Sequence, residues 1–463
     1  MQDPKNQRER LSSRLGFILL SAGCAIGLGN VYRFPIITGA YGGALFVLIY
    51  IAFLILLGLP VMTAELAVGR GSQRSIASSF DVLEKKGQKW HFMKFLGIAG
   101  NYLLMMFYTC ITGWFVVYFL KYLNGSIMEN TTAEALGGVF GGIVSNLPLN
   151  IGITIGVILV CFAICAIGLQ KGVEKITKVM MVALLLLIIG LAIYCCTLDG
   201  AGAGLKFYLV PSLKNAEEHG IWTVISAAMG QAFFTLSLGI GSIAIFGSYI
   251  GKDRSLLGES ITIISLDTFV ALMSGIIIFP AFFTFNPGAT GIAAEQAGAG
   301  FLFVTLSSIF NNMAIGRVIG ALFFLFMCFA ALSTVIAVFE NIVSFWLELT
   351  KLKRVQIAII NIVLLSILTL PFILCNCNEA IGAIRILGRN IGDFEDFLVS
   401  NFALPFGSLM YVLFCTHRFG WGWENYFAEV NAGKGLRVGK WMKPYMQYVL
   451  PVIIAAVLII SLF

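Results

Sequence analysis

The sequence predicts an all-α polytopic membrane protein of about eleven transmembrane helices, folded as one domain. Three observations lead there. Of 463 residues, 59% are hydrophobic and 11% charged, whereas about a quarter of the residues of a soluble domain are charged. The mean hydropathy is +0.93. Apolar runs near the 20 residues that cross a bilayer recur along the whole chain.

In order, the runs fall at 14–37, 42–69, 92–123, 149–168, 176–198, 222–250, 258–285, 315–348, 355–375, 391–416 and 444–463. The longest segments between them, 124–148, 199–221, 286–314 and 417–443, are too short to carry cores of their own. Orientation follows from the basic residues. With the N-terminus in the cytoplasm, 23 of the 30 Lys and Arg residues lie on inner segments. The formal charge of +7 is thereby accounted for by topology, and no nucleic-acid partner is expected. A cleaved signal peptide is not expected either, because the first apolar run continues through Arg33 to a second span. Most of the ten cysteines lie within spans and none forms a CxxC pair, so they read as buried free thiols. Cys375 and Cys377, one residue apart, are poorly placed for a mutual disulfide. Asn124 and Asn130 open acceptor sequons that matter only in a glycosylating host.

The first run, "SAGCAIGLGNVYRFP", carries Gly27 and Gly29 at its centre, with Asn30 and Arg33 just beyond. By themselves the glycines also fit close helix packing. A dinucleotide-binding loop does not fit, since no strand precedes it. A helix interrupted at mid-membrane leaves N–H and C=O groups that hydrocarbon cannot satisfy. Free carbonyls suit a small hard cation, and the N–H groups of the next half-helix suit a carboxylate. The sixth run echoes the first: Gly239-Ile240-Gly241-Ser242 resembles Gly27-Leu28-Gly29-Asn30. Two glycine-interrupted helices five spans apart are the pattern of a transporter built from inverted repeats.

Their company favours that reading. "GQAFFTLSLGIGS" adds the hydroxyls of Thr235 and Ser237, and "FAALSTVIAVFEN" sets Ser333 beside Thr334. "ISLDTFVALMSG" places Asp267 in a lipid-compatible segment, where a carboxylate is costly and marks a functional site by default. Because Asp267 lies 13 residues past Arg254, the alternative is a carboxylate near the helix end. An ion channel would need a continuous pore lining, and an enzyme a nucleophile–base or metal constellation. Only three histidines occur, all near span ends.

Over nearly its whole length the chain resembles the neurotransmitter:sodium symporters, especially their bacterial amino-acid members. "RLGFILLSAGCAIGLGNVYRFP", "GGALFVLIY", "ELAVGRG", "GQAFFTLSLGIGS" and the Ser333-Thr334 pair fall in the family's order and spacing. The resemblance implies two inverted five-helix repeats, at roughly 11–198 and 222–416, with the first and sixth helices broken at mid-membrane. One extra helix follows at roughly 444–463, where other members commonly have two, so a monomer or weak dimer in membrane lipid is expected. It implies a sodium-coupled symporter of the inner (plasma) membrane, importing a neutral, hydrophobic amino acid by alternating access.

Carried over by position, the resemblance assigns one sodium site to the Ala25 carbonyl, Asn30, Thr235 and Asp267. A second would take the carbonyls of Gly23, Ile26 and Ala330 and the hydroxyls of Ser333 and Thr334. The substrate carboxylate would meet sodium, the N–H groups of Leu28 and Gly29, and the Tyr108 hydroxyl. Its ammonium would meet the carbonyls of Ala25, Phe234 and Thr235, near Ser237. Leu104, Tyr108, Phe234, Ile240, Thr334, Val335 and Val338 would line the side-chain pocket, which offers no charge. Arg33 and Asp396 would close the outer side; Arg8 and Glu348, with Tyr249 alongside, would close the inner side. Glu65 is expected to accept hydrogen bonds from unwound backbone. Animal members have Asn at the position of Asp267 and recruit chloride; here the acid is built in and Tyr50, Gln231 and Thr235 match, so no chloride requirement is expected.

Overall fold

The computed structural model describes residues 11–213, 220–289, 291 and 300–462, and among these it contains no β-strand, only two isolated bridges. The first apolar run forms two helices, α1 (Arg14–Ala25) and α2 (Gly29–Ala40), bent by 54° at the break between them. Nine helices long and apolar enough to cross a membrane follow among the described residues: α3 (Ala44–Ser72), α4 (Trp90–Asn124), α5 (Leu147–Ile167), α6 (Leu169–Cys196), α8 (Leu256–Phe285), α9 (Gly316–Leu349), α10 (Arg354–Cys377), α11 (Ile391–Thr416) and α12 (Met442–Ile460). Between α6 and α8 lies α7 (Ile221–Thr235), which runs on through irregular backbone to a single turn at Ala244–Gly247. Bent pair, nine helices and α7 make the eleven passes expected.

The sixth pass is broken, as expected, and its irregular stretch is longer than that of the first. The apolar run extends to residue 250, yet past Thr235 only Ala244–Gly247 is helical. Ser237, Gly239 and Gly241 all take positive φ (50°, 99° and 79°), which a helix cannot contain.

Local chemistry sets the helix ends. Ser13 caps α1 by accepting the Gly16 N–H, and Asn146 caps α5 by accepting the Leu149 N–H. The segments between passes hold short helices, Ala133–Val144, Ala201–Leu209 and Trp423–Val430, which pack onto the bundle. α9 lies at the centre, with α1, α4, α5 and α6 packed around it, and is apolar on nearly every face. By contrast α5, α6, α10 and α12 show one apolar face outward, as lipid contact requires.

Candidate functional site

The two interruptions meet at the centre of the bundle. At the first, the Gly27 N–H donates to Asn30 Oδ1 (3.1 Å) and the Leu28 N–H donates to the Tyr108 hydroxyl (3.0 Å). A side chain at Gly27 could not fit: its Cβ would lie 2.3 Å from the Tyr108 hydroxyl and 2.5 Å from Thr334 Oγ1. Asn30 Nδ2 donates to the Asp267 carbonyl (3.1 Å), Gln231 Nε2 to the Gly29 carbonyl (2.7 Å) and Ser274 Oγ to the Asn30 carbonyl (2.9 Å). Thus α7 and α8 hold the start of α2.

At the second interruption the Glu65 carboxylate accepts the N–H groups of Gly239 (2.8 Å), Ile243 (3.1 Å) and Ala244 (3.3 Å). Asn101 Nδ2 donates to the Ile240 carbonyl (2.9 Å), and Asn101 Oδ1 accepts from Ser242 and Asn341. The expected role of Glu65 is thus realised. Asn101, an amide within an apolar run, is a partner that sequence reasoning missed.

Two sets of oxygen atoms flank the first break. In one, the Thr235 hydroxyl donates to Asp267 Oδ2 (3.3 Å), with Asn30 against the Asp267 carbonyl. Asp267 is fully buried and its Oδ1 has no hydrogen-bond partner among the described residues. A buried carboxylate oxygen left so is costly, and a cation or a proton would relieve it. In the other set, Thr334 Oγ1 lies 3.3 Å from the Gly23 carbonyl, 3.2 Å from Ile26 and 3.4 Å from Ala330. Ser333 Oγ donates to the same Ala330 carbonyl (2.9 Å). A hydroxyl has one proton, so it cannot serve three carbonyls at once. The second set consists of oxygen alone, the ligand chemistry of hard cations; in the first, the Asp267 carboxylate and the Thr235 hydroxyl supply oxygen, while Asn30 turns its Nδ2 to the Asp267 carbonyl and its Oδ1 to the Gly27 N–H.

Between the sets lies a cavity lined by Ala25, Gly27, Leu28, Gly29, Leu104, Tyr108, Phe234, Ser237, Thr334 and Leu404. It is contracted to a free volume of about 10 Å3, room for about one water. Three residues expected in the walls, Ile240, Val335 and Val338, are not among the lining, and neither is Thr235, expected at the ammonium. Thr235 turns its hydroxyl to Asp267. Ile240 packs against Gly100, its carbonyl taken by Asn101. Val335 is rotated by about 100° from Thr334, and Val338 lies one turn, about 6 Å, further along α9; both are fully buried. Leu404, which the sequence reading did not single out, takes their place. Gly239 brings it close: a Cβ there would lie 2.3 Å from the Leu404 carbonyl.

Beyond Leu28 and Phe234 a vestibule of about 490 Å3 opens to the face opposite the N-terminus, lined also by Tyr32, Arg33, Trp114, Asp393 and Asp396. Arg33 and Asp396 face this space without forming the expected ion pair. Arg33 Cζ lies 4.4 Å above the Phe234 ring, and Asp396 Oδ1 accepts from Ser400 (2.7 Å). The pair is open because the vestibule separates its members.

Hydrogen bonds and ion pairs bridge the helices at the N-terminal face. Glu348 accepts the Ser75 N–H (2.7 Å) and the Ser78 hydroxyl (2.5 Å); Arg8, its expected partner, lies outside the described residues. Tyr249 donates to Glu340 (2.8 Å) and bonds Ser344 (2.7 Å), and Glu340 pairs with Arg354 (2.6 Å). That pair was missed; its signal was an acid in an otherwise apolar helix. Arg70, fully buried, pairs with Glu429 (2.7 Å), and Arg14 with Glu259 (2.9 Å). Asp81, Glu84 and His91 also gather on this face, but His91 bonds Glu84 and Lys94 pairs with Asp81.

Known proteins match this arrangement. A family profile described as the sodium:neurotransmitter symporter family matches residues 8–134 and 143–463. The chain is 31% identical over 405 residues to the "Uncharacterized sodium-dependent transporter YhdH" of Bacillus subtilis (strain 168), covering 87% of this chain and 86% of that protein. It is 24% identical to the sodium- and chloride-dependent taurine transporter of Homo sapiens, over 98% of this chain and 78% of that one. The crystal structure of MhsT in complex with L-phenylalanine superimposes with a TM-score of 0.87 at 36% identity, covering 99% of this chain and 100% of that one.

Proposed function

The chain belongs to the sodium:neurotransmitter symporter family and is a multi-pass, sodium-coupled transporter of a small molecule, and we propose that it carries a neutral amino acid with an apolar side chain, together with sodium at two sites and without chloride. The reading rests above all on the convergence of the Gly23, Ile26 and Ala330 carbonyls on the single hydroxyl of Thr334. Such a surplus of oxygen lone pairs beside a helix break suits a cation. Asp267 with Thr235, Asn30 and the Ala25 carbonyl offers the other sodium site.

The cargo would take its place between them. Leu28 N–H and the Tyr108 hydroxyl, which bond each other here, are the donors for its carboxylate. Of the cavity's other walls, Leu104, Phe234 and Leu404 are apolar and Ser237 is polar but uncharged, so they offer a side chain no charge. MhsT, crystallised with L-phenylalanine, is consistent with an amino acid of this class. The open vestibule and the bridged N-terminal face support a carrier that would load from outside, with its N-terminus in the cytoplasm of a bacterial inner membrane.

Proteoliposome uptake tests the reading. Each cation crossing 100 mV contributes about 2.3 kcal/mol, and a tenfold gradient about 1.4 kcal/mol more. Two sodium ions therefore supply roughly 7 kcal/mol, enough for strong accumulation of a zwitterion. Apolar amino acids should accumulate under an inward sodium gradient, and equal uptake with potassium on both faces would overturn the proposal. Transport in gluconate should match transport in chloride. Asp267→Asn should lose at least tenfold in substrate affinity without chloride and regain part of it as chloride is added.

A further inference from the structure

We propose that Glu174 is a positioning residue that holds α1 shut against α6, so that the N-terminal face opens only when this contact is released. The inference rests on the transport reading above, in which that face must open to discharge cargo.

Glu174 ends a π-helical stretch, Leu169–Glu174, that starts α6 after Gly168 at φ 116°. Its side chain is 2% exposed. The carboxylate points away from its own helix and onto the start of α1. It accepts the Ser12 N–H (2.8 Å), the Ser12 hydroxyl (2.5 Å) and, more distantly, the Ser13 hydroxyl (3.5 Å). Ser13 is itself the cap of α1. Lys178, one turn further along α6, reaches Glu174 at 4.0 Å and Ser13 at 3.4 Å. The fit allows no extra atom, since a Cβ at Gly16 would lie 1.9 Å from Glu174 Oε1.

The position of these contacts matters as much as their strength. α1 is twelve residues long, about 18 Å. Its C-terminal end is the break, the place where the chain can hinge, and that end carries the Gly23 and Ile26 carbonyls of the Thr334 set. Glu174 grips the opposite end, where a restraint has the longest lever arm against rotation about the break. A cavity of about 340 Å3, lined by Leu11, Ser12, Arg14 and Phe17 together with Tyr249 and Glu259, flanks that end. Across it α1 is held by the Arg14–Glu259 ion pair and a long hydrogen bond from the Leu11 N–H to the Tyr249 carbonyl (3.4 Å), and the Arg14 side chain is 47% exposed. An exposed pair is screened by water and salt, whereas hydrogen bonds to a buried charged acceptor are the strong ones. Of the two carboxylates that meet the start of α1, Glu174 is the one that sets its position.

The test is amide hydrogen exchange, read by mass spectrometry on the full-length protein in lipid nanodiscs, with sodium affinity measured on the same samples. In sodium-free buffer, Glu174→Ala and Gly16→Ala should each speed exchange in 14–25 by tenfold or more. Apparent sodium affinity should fall by a comparable factor, because the closed state becomes the minor one. Glu174→Gln, whose amide oxygen still accepts the Ser12 N–H, should recover much of both. Exchange in α4 and α9 should stay at the wild-type rate. Wild-type exchange in 14–25 for Glu174→Ala, or a rise spread equally over all helices, would overturn the proposal. Wild-type protein provides the separate control. If sodium leaves its α1 exchange unchanged, the transport reading fails; if sodium slows it but the variants match wild type, only the role of Glu174 fails.

Discussion

At the first break, between Ala25 and Gly29, Asn30 takes the Gly27 N–H and Gln231 donates to the Gly29 carbonyl, but the groups beside the cavity are met by lone hydroxyls: Tyr108 takes the Leu28 N–H, and Thr334 stands before the Gly23 and Ile26 carbonyls. At the second, between Thr235 and Ala244, they are met by side chains fixed in α3 and α4. Glu65 takes three N–H groups and Asn101 a carbonyl. The difference separates two uses of irregular backbone at membrane depth, which is tolerated only where protein or a lined cavity satisfies it. The second break is completed by the protein itself and serves as a fixed wall. On the proposed reading, the first is left for ions and substrate to complete.

That contrast is broken most severely by removing Glu65. Glu65→Ala would leave three buried N–H groups without an acceptor, at roughly 1–3 kcal/mol each. We expect at least about 4 kcal/mol of destabilisation, seen as a large fall in thermal unfolding temperature in detergent, with loss of both sodium and substrate binding. Glu65→Gln, which keeps one acceptor oxygen, should lose about half as much. If Glu65→Ala unfolds at the wild-type temperature, the second break is not held in this way and the contrast is void.

At the first break, effects should fall on ligands rather than on the fold. Thr334→Val keeps the shape and deletes one oxygen. Sodium affinity should weaken by about 10-fold to 100-fold, the equivalent of about 1.5–3 kcal/mol for a bond to a charged group, with unfolding of the sodium-free protein changed little. Tyr108→Phe should weaken substrate binding by about tenfold, near the lower end of that range, because the Leu28 N–H loses its acceptor in the empty protein as well. Sodium affinity measured without substrate should not move. A Tyr108→Phe protein with unaltered substrate affinity would show that the hydroxyl only caps Leu28.

The uneven legibility of the site has the same origin. Gly27, Gly29 and Asn30 announce the first break because their spacing is local and a polar residue in an apolar run stands out. Asp267 and Thr235 were placed against Asn30 by resemblance, since nothing in their own neighbourhoods says that α7 and α8 meet there. The walls were harder. Naming Ile240 and Val335 assumed how far the sixth pass unwinds and how α9 is phased. A helix apolar on nearly every face gives no periodic signal to set its phase. Glu340 and Arg354 are fourteen residues apart across a helix end, and only the turn at 350–353 brings them together. The eleven passes needed no such knowledge, because span length and apolarity alone reveal them.

The vestibule offers the smallest effect and the finest test of where the ligand-facing region ends. Arg33 lies over Phe234 and its Nη1 is buried without a hydrogen-bond partner among the described residues, while Asp396 is satisfied by Ser400. Closing the pair would exchange a cation–π contact of about 0.5–1 kcal/mol for an exposed ion pair of about 0–1 kcal/mol. Two terms so nearly equal leave the outer side free to shut once cargo lies beneath Phe234, and to reopen when it has gone. Asp396→Asn should therefore change substrate affinity by no more than about fivefold, close to 1 kcal/mol. The difference from wild type should shrink as potassium chloride is raised from 0.05 to about 0.5 M and the charges are screened. Titrations of both proteins at several ionic strengths would measure it. A loss of 100-fold that salt does not alter would place Asp396 in contact with the cargo and carry the ligand-facing region outward from the first break into the vestibule.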